Sequence, residues 1–112
     1  MFAKDLNIGY LLDFYGELLT ERKRSVMEMY FNEDFSLAEI AEEINISRQG
    51  VRDIIKKSEE ELRFYEEKLG LAARFEKISG GLSEMKKIVG DLPRDEKKAE
   101  LIKLIDSISE NV

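Results

Sequence analysis

Residues 36–57 read Ser36-Leu37-Ala38-Glu39-Ile40-Ala41-Glu42-Glu43-Ile44-Asn45-Ile46-Ser47-Arg48-Gln49-Gly50-Val51-Arg52-Asp53-Ile54-Ile55-Lys56-Lys57, and their spacing is that of a helix-turn-helix. Ser36 followed three residues later by Glu39 forms a capping box, so a helix starts there. Ile40, Ala41 and Ile44 give it an apolar stripe, and Ala41 is small enough to let a second helix approach closely. Asn45 occupies the turn, where a left-handed backbone favours Gly or Asn. Ile46 fills the corner. Ser47 caps the second helix, whose inner face is Val51, Ile54 and Ile55. Arg48, Gln49, Arg52, Lys56 and Lys57 are left facing outward, the arrangement of a recognition helix able to enter a major groove.

Upstream of this motif, residues 5–18 make a first helix, with Leu6, Tyr10, Leu11, Phe14, Leu18 and Leu19 expected on its buried side. Thr20 caps a second helix running to about Phe31, which offers Val26, Met27, Met29 and Tyr30 to the core. Asn32-Glu33-Asp34 supplies the turn into Ser36. Downstream, no Gly or Pro follows Gly50 until Gly70, so the recognition helix runs from Arg48 to Leu69, roughly 33 Å. Val51, Ile55, Ser58, Leu62, Tyr65 and Leu69 repeat along it at four-three spacing, close to a heptad seam.

The same spacing resumes after Gly70 with Leu71, Phe75, Ile78, Leu82, Met85 and Val89. Gly80-Gly81 either softens this helix or breaks it. Asp91-Leu92-Pro93 stops it, with Pro93 expected near the first turn of a last helix over about 94–109. That helix carries Leu101, Leu104, Ile105 and Ile108 on one face. The expected organisation is a helix-turn-helix domain at 1–69, with its motif at 36–57, and a helical extension at 70–112. The extension needs a partner surface, either the outer half of the long helix or a second copy of the chain, and the continuous seam from Leu62 to Val89 predicts a homodimer.

Composition narrows the function classes. With 43% hydrophobic and 38% charged residues and a single Pro, the 112-residue chain suits an all-α fold with solvated outer faces. It has no Cys and no His, which removes disulfides, thiolate chemistry and the commonest general base and metal ligand. Paired carboxylates such as Asp5/Asp13 or Glu42/Glu43 have no nucleophile or base beside them, and no Gly-rich phosphate loop occurs. The expectation is a non-enzyme with no cofactor and no metal. No apolar run approaches membrane-spanning length and no signal-peptide pattern opens the chain, so a cytoplasmic protein without membrane insertion is expected.

The net charge of −6 is unfavourable for a nucleic-acid binder, and its distribution matters. Residues 1–69 hold 10 Lys/Arg and 16 Asp/Glu, whereas residues 70–112 hold 8 of each. Within 47–57, four cations face only Asp53, a local balance of +3. Such a face holds phosphates with modest, steeply salt-dependent affinity.

With Leu18–Arg63 included, the segment resembles region four of bacterial sigma factors, through Leu18-Leu19-Thr20-Glu21-Arg22-Lys23-Arg24 ahead of the motif and Ser58-Glu59-Glu60-Glu61-Leu62-Arg63 behind it. Tyr10-Leu11-Leu12-Asp13-Phe14-Tyr15 and Ser47-Arg48-Gln49-Gly50-Val51 bring it nearer still to the YlxM-type helix-turn-helix proteins of Gram-positive bacteria. Gly50 and Arg52 stand where that resemblance implies Ala and often Tyr. Genes of that family sit beside those of the signal recognition particle GTPases, so the resemblance implies a part in that targeting pathway and its components as partners.

The expected nucleic-acid contacts are Ser47, Arg48, Gln49, Arg52, Lys56 and Lys57, joined by Arg22 and Arg24 from the start of the preceding helix. Arg reads guanine and Gln adenine by bidentate hydrogen bonds, while Lys56 and Lys57 reach at best phosphates. Cations at a helix N-terminus oppose its macrodipole at a cost of about 0.3–1 kcal/mol, which points to a use for Arg22 and Arg24. DNA is the easier partner, because the deep RNA major groove excludes a helix. The aromatic residues fall at helical spacing and read as core. Glu59-Glu60-Glu61 and Glu66-Glu67 read as a solvated face; the alternative is a docking surface on a protein-interaction module that has lost nucleic-acid binding.

Overall fold

A computed structural model describes residues 4–112; the first three residues of the expected 1–69 domain lie outside it. The described residues form six α-helices and no strand. They divide into two compact units, one ending at Ala72 and one beginning at Ala73.

In the first unit, α1 (Leu6–Tyr15) starts where the Asp5 carboxylate accepts the Asn7 N–H at 2.9 Å, and a 3-10 turn over Gly16–Leu18 follows it. The helix ends three residues earlier than the spacing predicts, and it is rotated. Ile8, Leu11, Leu12 and Tyr15 face inward, Tyr10 and Phe14 lie at the margin, and Leu6 and Leu18 are exposed. Most of this segment is apolar, so its periodicity admits two inward faces. The chosen face is the one that also gives the Tyr15 hydroxyl partners, described below.

α2 (Glu21–Phe31) is capped by Thr20, whose hydroxyl accepts the Lys23 N–H, and it buries Val26, Met27, Met29 and Tyr30. Asp34, at φ 57°, turns the chain into α3 (Leu37–Ile44), which opens with the complete Ser36/Glu39 capping box. Asn45 ends α3 in the left-handed region, at φ 58° and ψ 50°. Ser47 then caps α4 (Arg48–Leu69), its hydroxyl accepting the Gly50 N–H at 2.9 Å. Val51, Ile55, Ser58 and Leu62 have no exposed surface, and the Ser58 hydroxyl donates to the Ile54 carbonyl at 2.7 Å. α4 contacts α1, α2 and α3, and so serves as the central helix of this unit.

α4 stops at Gly70, whose φ of 63° few other residues adopt without strain. α5 (Leu71–Gly90) begins at once. Its first amides are held by a polar cluster: Tyr15 Oη donates to Glu66 Oε1 at 2.5 Å and accepts from the Leu71 N–H at 3.0 Å, while Glu66 Oε1 accepts from the Ala72 N–H at 3.0 Å. Tyr15, distant in sequence, and Glu66, near the end of α4, thereby perform the capping that no residue next to α5 performs.

In the second unit, α5 passes unbroken through Gly80-Gly81 and returns antiparallel as α6 (Glu96–Glu110). The connection is closed by Lys98 Nζ, which donates to the Gly90 and Leu92 carbonyls, and Lys86 pairs with Asp106 at 2.7 Å. Asp95 caps α6, so Pro93 stands two residues ahead of the cap and not in the first turn. The core here is Leu82, Val89 and Ile105, with Ile102 packed on it. Of the predicted inner face of α6 only Ile105 turns in; Leu101, Leu104 and Ile108 stay exposed, as do Ile78 and Met85 on α5.

Burial, and next the bond to Glu66, hold the Tyr15 phenol above its ordinary pKa of 10.0. The folded state therefore binds this proton more tightly than the unfolded chain. The stabilisation is complete below pH 10 and is lost as pH rises through the higher folded value. Tyr15→Phe should lower stability at neutral pH by about 1.5–3 kcal/mol, the contribution of a hydrogen bond to a charged group. Urea titrations from neutral to strongly alkaline pH should also show a smaller alkaline loss in the variant.

Candidate nucleic-acid interface

The two helices of the motif meet at a corner set by local chemistry. The left-handed Asn45 and the caps at Ser36 and Ser47 fix where each helix begins and ends. Ile46, half-buried, packs on the core, and an atom added at the Gly50 Cα would lie 3.3 Å from its side chain and 3.2 Å from Ser47 Oγ. Gly50 thus allows a tight first turn. α4 presents its buried stripe inward, and the rest of its N-terminal half is solvent-facing.

Arg48, Gln49, Arg52, Lys56 and Lys57 are all exposed on α4. Arg48, Arg52 and Lys56 follow at four-residue intervals and so form one ridge along the helix. Gln49 donates its side-chain amide to Asp53 at 3.0 Å, which holds both on the outermost strip beside Lys57. Ser47 is exposed, but its hydroxyl is engaged in the cap.

Arg22 and Arg24 do not come together. Two residues apart, they project to nearly opposite sides of α2. Arg22 lines a shallow depression with Thr20, Ser25 and Ile44, at the end of α3 that leads into the motif's turn. Arg24 faces α1 among Asp13, Glu17 and Glu28, with its guanidinium 3.9 Å from the Glu28 carboxylate. Lys23, between them, pairs with Glu61 and ties α2 to α4.

The pairing pattern sorts the cations of the first unit. Lys4, Lys23, Arg24 and Arg63 each meet a carboxylate, and Lys68 lies over the Phe64 ring. Among the described residues, Arg22, Arg48, Arg52, Lys56 and Lys57 make no ion pair and no side-chain hydrogen bond. Part of the acidic stretch is engaged internally by the same sorting: Glu59 pairs with Arg63, Glu61 with Lys23, and Glu66 holds Tyr15 and the start of α5, while Glu60 and Glu67 stay exposed. The Glu59–Arg63 pair is the i, i+4 pair their spacing predicts, whereas sequence reasoning missed the roles of Glu61 and Glu66, whose partners Lys23 and Tyr15 are distant in the chain. The divergence of Arg22 from Arg24 was readable from their spacing. Among the described residues no cluster of three metal-ligating side chains occurs, and no helix is long and apolar enough to cross a membrane.

A family model described as "Putative helix-turn-helix protein, YlxM / p13 like", UPF0122, matches residues 2–106. The chain belongs to the UPF0122 family. The UPF0122 protein of Halalkalibacterium halodurans is 46% identical over 108 residues, covering 96% of this chain and 99% of the relative. That of Bacillus velezensis is 41% identical over 105 residues, covering 94% and 96%. That of Oceanobacillus iheyensis is 48% identical over 91 residues, covering 81% and 87%. The UPF0122 description is of a helix-turn-helix protein, not of an enzyme, and it agrees with the capped α3–turn–α4 geometry seen here.

In this UPF0122 chain the start of α4 rests on one side-chain acceptor. Ser47→Ala should reduce stability by about 1 kcal/mol, read as a lower denaturant midpoint with an unchanged slope.

Proposed function

We propose that this UPF0122 protein is a nucleic-acid-binding regulatory protein that docks the N-terminal half of α4 in a duplex DNA major groove. The observation that carries this reading is the segregation of cations: Arg22 and those on the N-terminal half of α4 lack carboxylate partners, while Lys4, Lys23, Arg24 and Arg63 have them and Lys68 lies over the Phe64 ring. An unpaired cation is available to release counterions from phosphate, which is the main source of non-specific affinity. In this reading Arg48, Gln49 and Arg52 meet base edges and the adjoining phosphates, and Lys56 and Lys57 meet phosphates alone. Arg22, beside the turn, fixes orientation on the backbone. Arg24, already paired with Glu28 in acidic surroundings, contributes little. Ser47 acts by holding the first turn of α4. The sigma-region-four resemblance supports the same docking mode, and the family resemblance supports a regulatory part in the signal recognition particle pathway from the cytoplasm.

Titration against random duplex DNA and against signal recognition particle RNA, each at low and at physiological salt, tests the proposal. Five phosphate contacts predict a slope of about −4.5 in the log–log salt dependence for duplex DNA, and Arg48→Glu with Arg52→Glu should cut its magnitude by about 2. Binding that is insensitive to salt and to this double reversal, or no binding at either salt, would overturn it. Asp53→Asn removes the one acid of the strip and should tighten binding several-fold in the same assay.

A further inference from the structure

The second unit exposes an apolar face that the chain itself leaves uncovered. On α5 the residues turned toward α6 include Phe75, Leu82 and Val89. One position earlier in each repeat stand Ile78, Gly81, Met85 and Ile88, a second three-four stripe, with Leu92 just beyond the helix end. On α6 Ile102 and Ile105 face α5, and again one position earlier stand Leu101 and Leu104, with Ile108 a turn further on. In each helix the second stripe is therefore rotated by about 100° from the first in the same sense along the chain. Because the two helices run antiparallel, the same sense along each chain carries both second stripes to the same side of the pair. The result is one continuous face, and its seven large side chains are 42–61% exposed.

We infer that this face pairs with the same face of a second copy, so that two α5–α6 hairpins complete an antiparallel four-helix bundle. Helices of such bundles carry two adjacent apolar stripes, one for each neighbour, as α5 and α6 do here. A closed two-fold pairing needs a self-complementary patch, and electrostatics permit one: residues 73–112 hold eight cations and eight acids, while the excess of −6 lies in the first unit. Side chains of this size and exposure present on the order of 600 Å² per copy, which places the paired face at the lower end of specific interfaces.

Gly81 is a separate indication. It lies inside the exposed stripe in the middle of a helix, where Gly is unfavourable, and no atom lies within 4 Å of a side-chain carbon placed there. Nothing within the chain calls for a glycine at this point, whereas close approach of a second helix does. The interface differs from the Leu62–Val89 seam that the sequence suggests, because Leu62 is spent on the first unit's core and Leu82 and Val89 on α6.

The test is the molar mass of the full chain by light scattering at tens of micromolar. The expected value is twice the 13.0 kDa of one chain. Met85→Glu with Leu104→Glu should give a monomer with unchanged helical circular dichroism, since both side chains are exposed. Gly81→Gln should weaken the dimer at least tenfold while raising thermal helix content, which separates interface loss from failure to fold. Leu18→Glu, at an exposed apolar site of the first unit, should leave the dimer intact. A monomeric natural chain overturns the inference and leaves the face to a different partner. A dimer that survives Met85→Glu with Leu104→Glu, or is lost in Leu18→Glu, overturns it equally.

Discussion

The inner face of α4, built from Val51, Ile55, Ser58 and Leu62, is sealed against α1, α2 and α3, and the rest of the first unit depends on that contact. Burying each of the three aliphatic side chains contributes about 1.5–3 kcal/mol. Like charges four residues apart on the opposite side of the helix, such as Arg48 and Arg52, cost only a few tenths of a kcal/mol per pair. Core burial therefore decides the rotation of α4 about its axis by a wide margin. The outward cations follow from that rotation, and their mutual repulsion is too small to alter it.

An acidic protein that keeps a small unpaired basic strip uses its carboxylates selectively. Lys23–Glu61 ties α2 to α4, and Asp5 and Glu59 both approach Arg63. These are modest contributions at a surface, where exposed pairs give about 0–1 kcal/mol. Their larger effect is spatial. They draw the charges of Glu59 and Glu61 into the protein's own contacts and leave the strip at the start of α4 as the part of the first unit with cations free for phosphate. The Tyr15–Glu66 cluster does a comparable job at the other end of α4, where it converts an otherwise uncapped helix start into a satisfied one.

Much of this was readable in the residues. Caps announce themselves locally, so Thr20, Ser36, Ser47 and the left-handed Asn45 place four helix boundaries from side-chain chemistry alone. The 22-residue length of α4 follows from the absence of Gly and Pro between Gly50 and Gly70. The rotation of α1 was not readable, because a segment that is apolar on most sides gives periodicity no single answer. Two-helix packing obscured α6 in the same way: with apolar residues at 101, 102, 104, 105 and 108, only the position of α5 tells which turn inward. Within the candidate site, which side chains face outward was legible, but which cations are neutralised was not, since Lys23–Glu61 joins residues far apart in the chain.

The central claim is that the N-terminal half of α4, with Arg22 beside it, is the surface that meets nucleic acid. Amide chemical-shift mapping of the full chain during titration with a short DNA duplex tests it most directly. The account predicts perturbations concentrated at residues 46–57 and at the start of α2 near Arg22, with α5 and α6 unaffected. Perturbations centred on α5 and α6, or none at saturating duplex in low salt, would contradict it.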